Sequence, residues 1–378
     1  MTAPLVVLAA GGTGGHMFPA EALAKALIAR GIRVALLTDE RGQAFGETLA
    51  GIEVHRIRSS RLPRYTLDRV RAVMEMGLGA LEARKLLKGL APAAVVGFGG
   101  YPSIPTVFAA SLARIPIVLH EQNALLGRAN RRLAGRAQAI ATSFAQVKYI
   151  PAAAHTVLTG NPVRPGILAV RDVSYTEPAT TGPFQILITG GSQGARIFSE
   201  IGPPAMALLP PELRARLRIV QQCRPEDIES VTAEYKAAGI DAELSTFFSD
   251  VPARLSACHL AITRSGASTV AELGVAGRPA ILVPYPFAMD DHQTSNAEAY
   301  AQSGAAWVVG QRILTPKLLA DRIAGLAAHP DSLSRAAAAA RQEGRPAAAD
   351  SFAELVISQI GARLGQPAVR TSLKDIAV

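Results

Sequence analysis

Two glycine-rich turns, Gly11-Gly12-Thr13-Gly14-Gly15-His16 and Gly190-Gly191-Ser192-Gln193-Gly194-Ala195, lie almost half a chain apart, and each follows a short apolar run. Leu5 to Ala10 and Phe184 to Thr189 have the length and apolar continuity of strands buried on both faces, and each turn leads into helical sequence. Strand, glycine turn and helix in that order leave backbone N–H groups at a helix N-terminus, where anions bind. Two such units in one chain predict an α/β protein of two tandem Rossmann-like domains, each built on a parallel sheet. Only the first turn ends in a histidine, so the halves share an architecture and differ in task.

Further strands are expected at Val34 to Leu37, Ala94 to Gly97, Pro116 to His120, Arg218 to Gln221, Leu260 to Thr263 and Ala280 to Pro284. Asn161-Pro162-Val163-Arg164-Pro165 marks a break, and the aperiodic segment to Pro183 reads as an interdomain linker. Residues 1–164, 165–345 and 346–378 are therefore expected as an N-terminal domain, a C-terminal domain and a final helix returning to the first. Alanine-rich helices are expected over 318–341 and about 347–364. A length of 378 residues suits two domains, each able to bury its own core.

Composition narrows the function. Hydrophobic content is 49%, but the longest uncharged stretch, Gly89 to Ala113, is broken by Pro92, Pro102 and Pro105, which excludes it as a spanning helix. The opening Met-Thr-Ala-Pro lacks the basic region of a signal peptide. Cys223 and Cys258 form neither a CxxC nor a zinc pattern, and so few thiols fit a reducing, cytoplasmic setting. The charge is uneven: residues 1–164 carry 20 Lys+Arg against 9 Asp+Glu, so the whole +9 excess lies in the first half. That half is expected to meet an anionic partner. Aromatics at 5% speak against nucleic-acid binding by base stacking. Between Arg58 and Lys88, basic residues alternate with Val70, Val73, Met74, Leu78 and Leu81, a pattern open to two readings. It fits either an anionic membrane surface or a solvated basic helix with a core-facing stripe.

Several polar clusters follow strands. Gly12, Gly14 and Asp39 resemble part of a dinucleotide fingerprint, but Met17 stands where its third glycine belongs; no GxxxxGK[ST] occurs, which excludes a P-loop enzyme. His16 at a helix N-terminus fits either a proton-accepting base with a depressed pKa or a satisfied cap. His120-Glu121-Gln122-Asn123 ends a strand; Glu121 is placed either to pair with Arg128, Arg131 or Arg132 or to serve a ligand. In Arg264-Ser265-Gly266-Ala267-Ser268-Thr269-Val270-Ala271-Glu272, spacing alone favours Glu272 as the acid of a capping box, with ribose binding as the other reading. Asp290-Asp291-His292-Gln293 opens a further polar helix; its adjacent carboxylates point apart, so no required metal is expected.

GGTGGH at 11–16, GGYPS at 99–103, HEQN at 120–123, GNPVR at 160–164, GGSQGAR at 190–196, RSGASTVAEL at 264–273 and DDHQTSNA at 290–297 together resemble the bacterial lipid II-forming N-acetylglucosaminyltransferases of peptidoglycan synthesis. The match runs in order along almost the whole chain. It implies a glycosyltransferase B fold, two Rossmann-like domains facing a central cleft. The implied reaction is inverting transfer of N-acetylglucosamine from its UDP donor to the C4 hydroxyl of the muramoyl sugar of lipid I. The resemblance further implies no cofactor or metal, no nucleic acid, and an anionic membrane surface as partner at the cytoplasmic face of the cell membrane.

Residue roles follow from the same resemblance. His16 is the expected general base. Thr13, Gly14 and Gly15 are expected at the acceptor diphosphate and at the donor, with Tyr101, Glu121 and Asn130 also on the acceptor. The donor is expected at Asn123, Arg164, Ser192, Phe248, Arg264, Ala267, Ser268, Thr269, Val270, Ala271, Glu272 and Gln293. Within that set, Glu272 would hold ribose, the backbone near Phe248 would read uracil, and Gln293 would bind the sugar hydroxyls. Ser199 departs from the asparagine expected there and stays outside the site. Two alternatives on related folds are a UDP-N-acetylglucosamine 2-epimerase and an NAD-dependent oxidoreductase.

Overall fold

The computed structural model of the protein describes residues 3–11, 14–40, 52–60, 66–191 and 194–363. The chain divides into two compact units, Met1–Pro162 with Ala347–Val378, and Val163–Pro346. Each has its own parallel sheet.

In the first unit the strands are β1 (Leu5–Ala9), β2 (Arg33–Thr38), β3 (Glu53–Arg56), β4 (Ala94–Gly97), β5 (Ile117–Glu121), β6 (Ala139–Thr142) and β7 (Thr156–Leu158). They align in the order β3-β2-β1-β4-β5-β6-β7 with every pairing parallel. Helices α1 (Gly14–Ile28), α2 (Thr66–Leu90), α3 (Gly100–Leu112) and α4 (Arg128–Leu133) make the crossovers. The central strands read as unbroken apolar runs because both faces are covered; Val6, Leu8 and Val96 face one core and Val7, Ala9 and Val95 the other.

The second unit repeats the plan with β8 (Phe184–Thr189), β9 (Leu217–Gln222), β10 (Asp241–Ser245), β11 (Leu260–Thr263), β12 (Ala280–Leu282) and β13 (Ala306–Val308), ordered β10-β9-β8-β11-β12-β13. Its helices are α5 (Pro165–Val170), α6 (Arg196–Ala207), α7 (Pro211–Arg214), α8 (Ile228–Ala237), α9 (Val251–Ala257), α10 (Ala267–Ala276), α11 (His292–Ala301), α12 (Pro316–Ala328) and α13 (Pro330–Glu343). The alanine-rich stretch expected over 318–341 is two helices, because Pro330 lacks the N–H a continuous helix needs and starts α13 instead. Helix α14 (Ala348–Arg363) belongs to the first unit, where Phe352, Val356 and Ile360 join the core beside Leu23 and Leu27 of α1.

The segment expected as a free linker is packed. Residues 163–183 belong to the second unit, where Tyr175 Oη donates to the His259 carbonyl at 2.9 Å. The buried Arg278 guanidinium donates to the Leu255, Ala276 and Ser256 carbonyls and reaches that of Val173 at 3.4 Å.

Each sheet reverses its strand order once, β1 against β4 and β8 against β11, and an open α/β sheet binds ligands at the carboxyl ends of strands beside such a switch point. Both pairs of glycine or polar turns singled out by sequence leave from these four strands.

Candidate active site

At the first switch point the turn after β1 meets the turn after β4. His16 Nδ1 lies 2.8 Å from the Phe98 carbonyl oxygen, which only accepts, so Nδ1 carries the proton and the lone pair of the neutral ring lies on Nε2. Gln122 Nε2 lies 3.2 Å from the same nitrogen. Gly100, at φ +69°, flanks Nε2: a Cβ there would stand 3.3 Å from it, so the left-handed backbone and the imidazole both favour glycine. His16 is thus held through Nδ1 by the Phe98 carbonyl at the first switch point. Gly14 and Gly15 open α1 beside it; Thr13 lies outside the described residues.

The residues expected at the acceptor take supporting positions. Tyr101 Oη donates to Asp39 Oδ2 at 3.2 Å, and this buried Asp39 is the acid the dinucleotide reading needed at a ribose. Glu121 accepts at Oε1 from Asn123 N (3.0 Å) and Nδ2 (3.2 Å), and at Oε2 from Gly127 N (2.8 Å) and Asn130 Nδ2 (2.9 Å). The expected alternative, an ion pair to an arginine of α4, is replaced by this cage, which folds residues 121–130 onto one carboxylate. Burial raises the Glu121 pKa against the pull of the four donors. Asn130 is buried, and its Nδ2 also donates to the His120 carbonyl at 2.9 Å, so both amide hydrogens are used inside the protein. Glu121 and Asn130 therefore shape the loop from beneath it.

His120, invisible as anything but a motif letter in the sequence, is fully buried and stacks on Phe352 of α14 with centroids 5.0 Å apart, beside Phe98 at 5.6 Å. Burial first, and then the neighbouring His16, bring its pKa down to about 3.

The second switch point lies at the carboxyl ends of β8 and β11. A Cβ on Gly190 would fall 2.2 Å from the Ala195 backbone nitrogen, so this turn closes only with glycine there; Ser192 lies outside the described residues. Helix α10 starts at the N-cap Gly266 with no side-chain cap, and Val270 N–H is already bonded to the Gly266 carbonyl at 3.0 Å. The N–H groups of Ala267, Ser268 and Thr269 precede it in the uncapped first turn.

Glu272 does not cap α10, correcting the reading from spacing. Its carboxylate turns to Arg164, whose Nε and Nη2 lie 3.0 and 2.9 Å from Oε1. Burial raises its pKa and Arg164 opposes the rise. Arg264, expected at the donor, is bonded within the protein. Its buried guanidinium donates through Nη1 to the Val283 and Pro284 carbonyls (3.0 and 3.2 Å) and through Nη2 to Gln311 Oε1 (2.7 Å), with the Phe198 and Tyr285 rings within 5.4 Å. Burial lowers its pKa. It braces the site from inside.

Gln293 Oε1 accepts from Tyr285 N at 3.0 Å, which leaves its amide N–H pair as donors; its carbonyl accepts from Ser265 Oγ at 2.8 Å. The Phe248 ring is covered by Arg254 at 4.0 Å, and Arg254 is itself clamped by Glu243 and Asp250, so the loop after β10 is fixed by charge. Val270 and Ala271 continue α10, Val270 inward. Ser199 is buried on α6 beside Cys223. Asp290 and Asp291 both adopt positive φ, and among the described residues no three His, Cys, Asp or Glu side chains gather as a metal site.

Two tandem doubly wound parallel sheets, each with glycine-rich or polar turns at its switch point, are the architecture of the glycosyltransferase B class. The chain belongs to glycosyltransferase family 28: its N-terminal domain matches residues 6–142 and its C-terminal domain residues 185–359. It is 55% identical over 360 residues to the UDP-N-acetylglucosamine--N-acetylmuramyl-(pentapeptide) pyrophosphoryl-undecaprenol N-acetylglucosamine transferase of Paramagnetospirillum magneticum, covering 94% of this chain and 97% of that one. The crystal structure of Acinetobacter baumannii MurG superposes with a TM-score of 0.79 at 32% identity, over 94% of this chain and 99% of that one. A UDP-GlcNAc 2-epimerase from Neisseria meningitidis shares the fold alone, with a TM-score of 0.66 at 14% identity over 93% of this chain and 99% of that one.

Proposed function

We propose that the protein transfers N-acetylglucosamine from UDP-N-acetylglucosamine to the C4 hydroxyl of the N-acetylmuramoyl-pentapeptide of lipid I, giving lipid II and UDP in peptidoglycan synthesis. The observation that supports the mechanism is the bond from His16 Nδ1 to the Phe98 carbonyl, which favours the tautomer whose Nε2 takes up a proton. As the C4 oxygen attacks the anomeric carbon, its proton passes to His16 Nε2 and the bond from that carbon to the UDP oxygen breaks on the opposite face. The configuration inverts and a β1,4 bond forms.

Charge grows on the departing diphosphate. The uncapped N–H groups of Ala267, Ser268 and Thr269 supply fixed dipoles for it, beside the turn that begins at Gly190. Glu272, oriented by Arg164, accepts the ribose hydroxyls through its second oxygen. Gln293 donates to the sugar, with Asn123 and Arg164 completing the donor contacts. The turn around Gly14 and Gly15 receives the diphosphate of the acceptor.

The first unit also docks on the membrane that carries this acceptor, at its cytoplasmic face. On α2 the side chains of Val70, Val73, Met74 and Leu81 are 60–63% exposed, while Ala72, Ala83 and Leu87 face the core. The apolar stripe therefore points away from the core, among exposed Arg69, Arg71, Arg84, Lys85 and Lys88. No helix among the described residues is long and apolar enough to cross a membrane.

Purified protein given UDP-N-acetylglucosamine and a lipid I analogue is expected to release UDP in step with disaccharide formation. No release overturns the reading, and turnover of the donor without acceptor favours an epimerase.

A further inference from the structure

Arg264 sits where β11 ends, and its guanidinium is buried without a carboxylate among the partners found for it. Such a group is held in place only if hydrogen-bond acceptors match its fork. Two of them are main-chain oxygens, Val283 and Pro284, at the end of β12. Among the described residues the side-chain acceptor is Gln311 Oε1, at 2.7 Å, from the turn after β13. Three neighbouring strands of the second sheet, β11, β12 and β13, thus meet at one cation.

The bonds continue to the sugar residue. The Pro284 carbonyl held by Arg264 belongs to the peptide whose N–H, on Tyr285, donates to Gln293 Oε1. Ser265, next to Arg264 in the chain, donates to the Gln293 carbonyl, and Asn296 Nδ2 fixes the Ser265 carbonyl at 3.1 Å. One closed circuit therefore runs from residue 264 through 284, 285, 293 and 265. Gln311 is the tie that pins the circuit to β13.

We propose that Gln311 is a positioning residue of the donor sugar site: by fixing Arg264 it sets the Pro284–Tyr285 peptide and, through that peptide, the direction in which Gln293 offers its amide to the hexosamine. The inference rests on the assignment of Gln293 to the donor sugar. It separates two parts of the donor, because the circuit reaches Gln293 and does not include Glu272 or its partner Arg164. Loss of Gln311 is then felt at the sugar and not at the uridine.

The test uses Gln311→Leu, which removes the acceptor at similar size, and Gln311→Glu, which keeps an oxygen for Arg264. Binding of UDP-N-acetylglucosamine and of UDP is measured by calorimetry, and the KM for donor and acceptor by UDP release. For Gln311→Leu the expected result is about a tenfold weaker UDP-N-acetylglucosamine affinity and higher donor KM, the loss of one charge-assisted bond. UDP affinity and acceptor KM stay within about twofold, and Gln311→Glu returns most of the donor affinity. Unchanged donor binding, an equal loss for UDP, or a Gln311→Glu variant as weak as Gln311→Leu overturns the proposal. A parent protein that binds both nucleotides but transfers nothing would count against the transferase reading, while the calorimetry still decides the role of Gln311.

Discussion

Arg164 sets two donors, Nε at 3.0 Å and Nη2 at 2.9 Å, on the single carboxylate oxygen Oε1 of Glu272. Oε2 is the other half of the carboxylate, and the geometry fixes the plane in which it lies. Arg164 is the N-cap residue of α5, just past the point where the chain passes from the first unit to the second, and Glu272 lies inside α10. A carboxylate proposed for ribose is thereby oriented by a residue 108 positions away within the same unit.

Glu272→Gln is expected to raise Tm while weakening the donor. Burial outweighs Arg164 and holds the folded pKa above the ordinary 4.5. A carboxyl raised on folding contributes stability that is fully present below 4.5 and lost as pH rises through the folded value, so at neutral pH the ionised group is a net cost. Glutamine removes that cost and keeps an oxygen for Arg164, but offers ribose one acceptor fewer. Thermal melts from pH 4 to 8 and donor KM measure both effects; the expected KM rise is about tenfold, and a lower Tm at pH 7 contradicts the account.

Glu121→Ala tests the cage at the end of β5. It strands the backbone N–H groups of Asn123 and Gly127 and the Asn130 amide, and unmet buried donors cost about 1–3 kcal/mol each before water relieves them. A loss of about 3 kcal/mol in chemical unfolding is expected. Glu121→Gln should recover part of it, since the carbonyl half still accepts while the NH2 half meets donors.

The fold was legible because its signals are local. A doubly wound sheet writes each central strand as a short apolar run and each switch-point turn as glycines, so β1, β8 and both turns stand out in sequence. Pairing of side chains across the fold is not written that way. Thr269 and Glu272 have the spacing of a capping box, yet the partner that wins, Arg164, is 108 residues from Glu272. Arg264 carries a charge and precedes a helix start, which suits the donor contact expected of it, but the carbonyls and Gln311 that β12 and β13 bring to it are not written in its local sequence. Burial hides His120 in the same way, since Phe352 reaches it from the far end of the chain.

Membrane docking predicts a specific loss. Val73→Asp with Leu81→Asp places two anions on the exposed apolar face of α2 without touching Ala83 or Leu87 beneath it. Binding to vesicles rich in anionic lipid should fall at least tenfold, as burial of two apolar side chains is lost and like charge is added. Donor binding measured by calorimetry without lipid should be unchanged. Equal vesicle binding by variant and parent removes α2 from the docking surface.

The two histidines near the first switch point make opposite predictions. His16→Ala removes the base, so kcat should fall about 10²- to 10⁴-fold with the donor KM little changed; an unchanged kcat reduces His16 to a cap for the Phe98 carbonyl. His120 is held neutral, with a pKa brought down from 6.5 to about 3 by burial and then by His16. A histidine depressed on folding contributes stability that is complete above 6.5 and is lost as pH falls toward 3, because the unfolded chain takes up the proton that the folded one refuses. Unfolding midpoints in urea should therefore decline from pH 7 to pH 4 in the parent and decline less in His120→Leu, whose side chain keeps the apolar contact with Phe98 and Phe352. Identical slopes in the two proteins would place the acid sensitivity elsewhere. Steeper acid loss in His16→Ala than in the parent would contradict the lowering effect of His16, since removing His16 removes a neighbour that keeps the proton off His120.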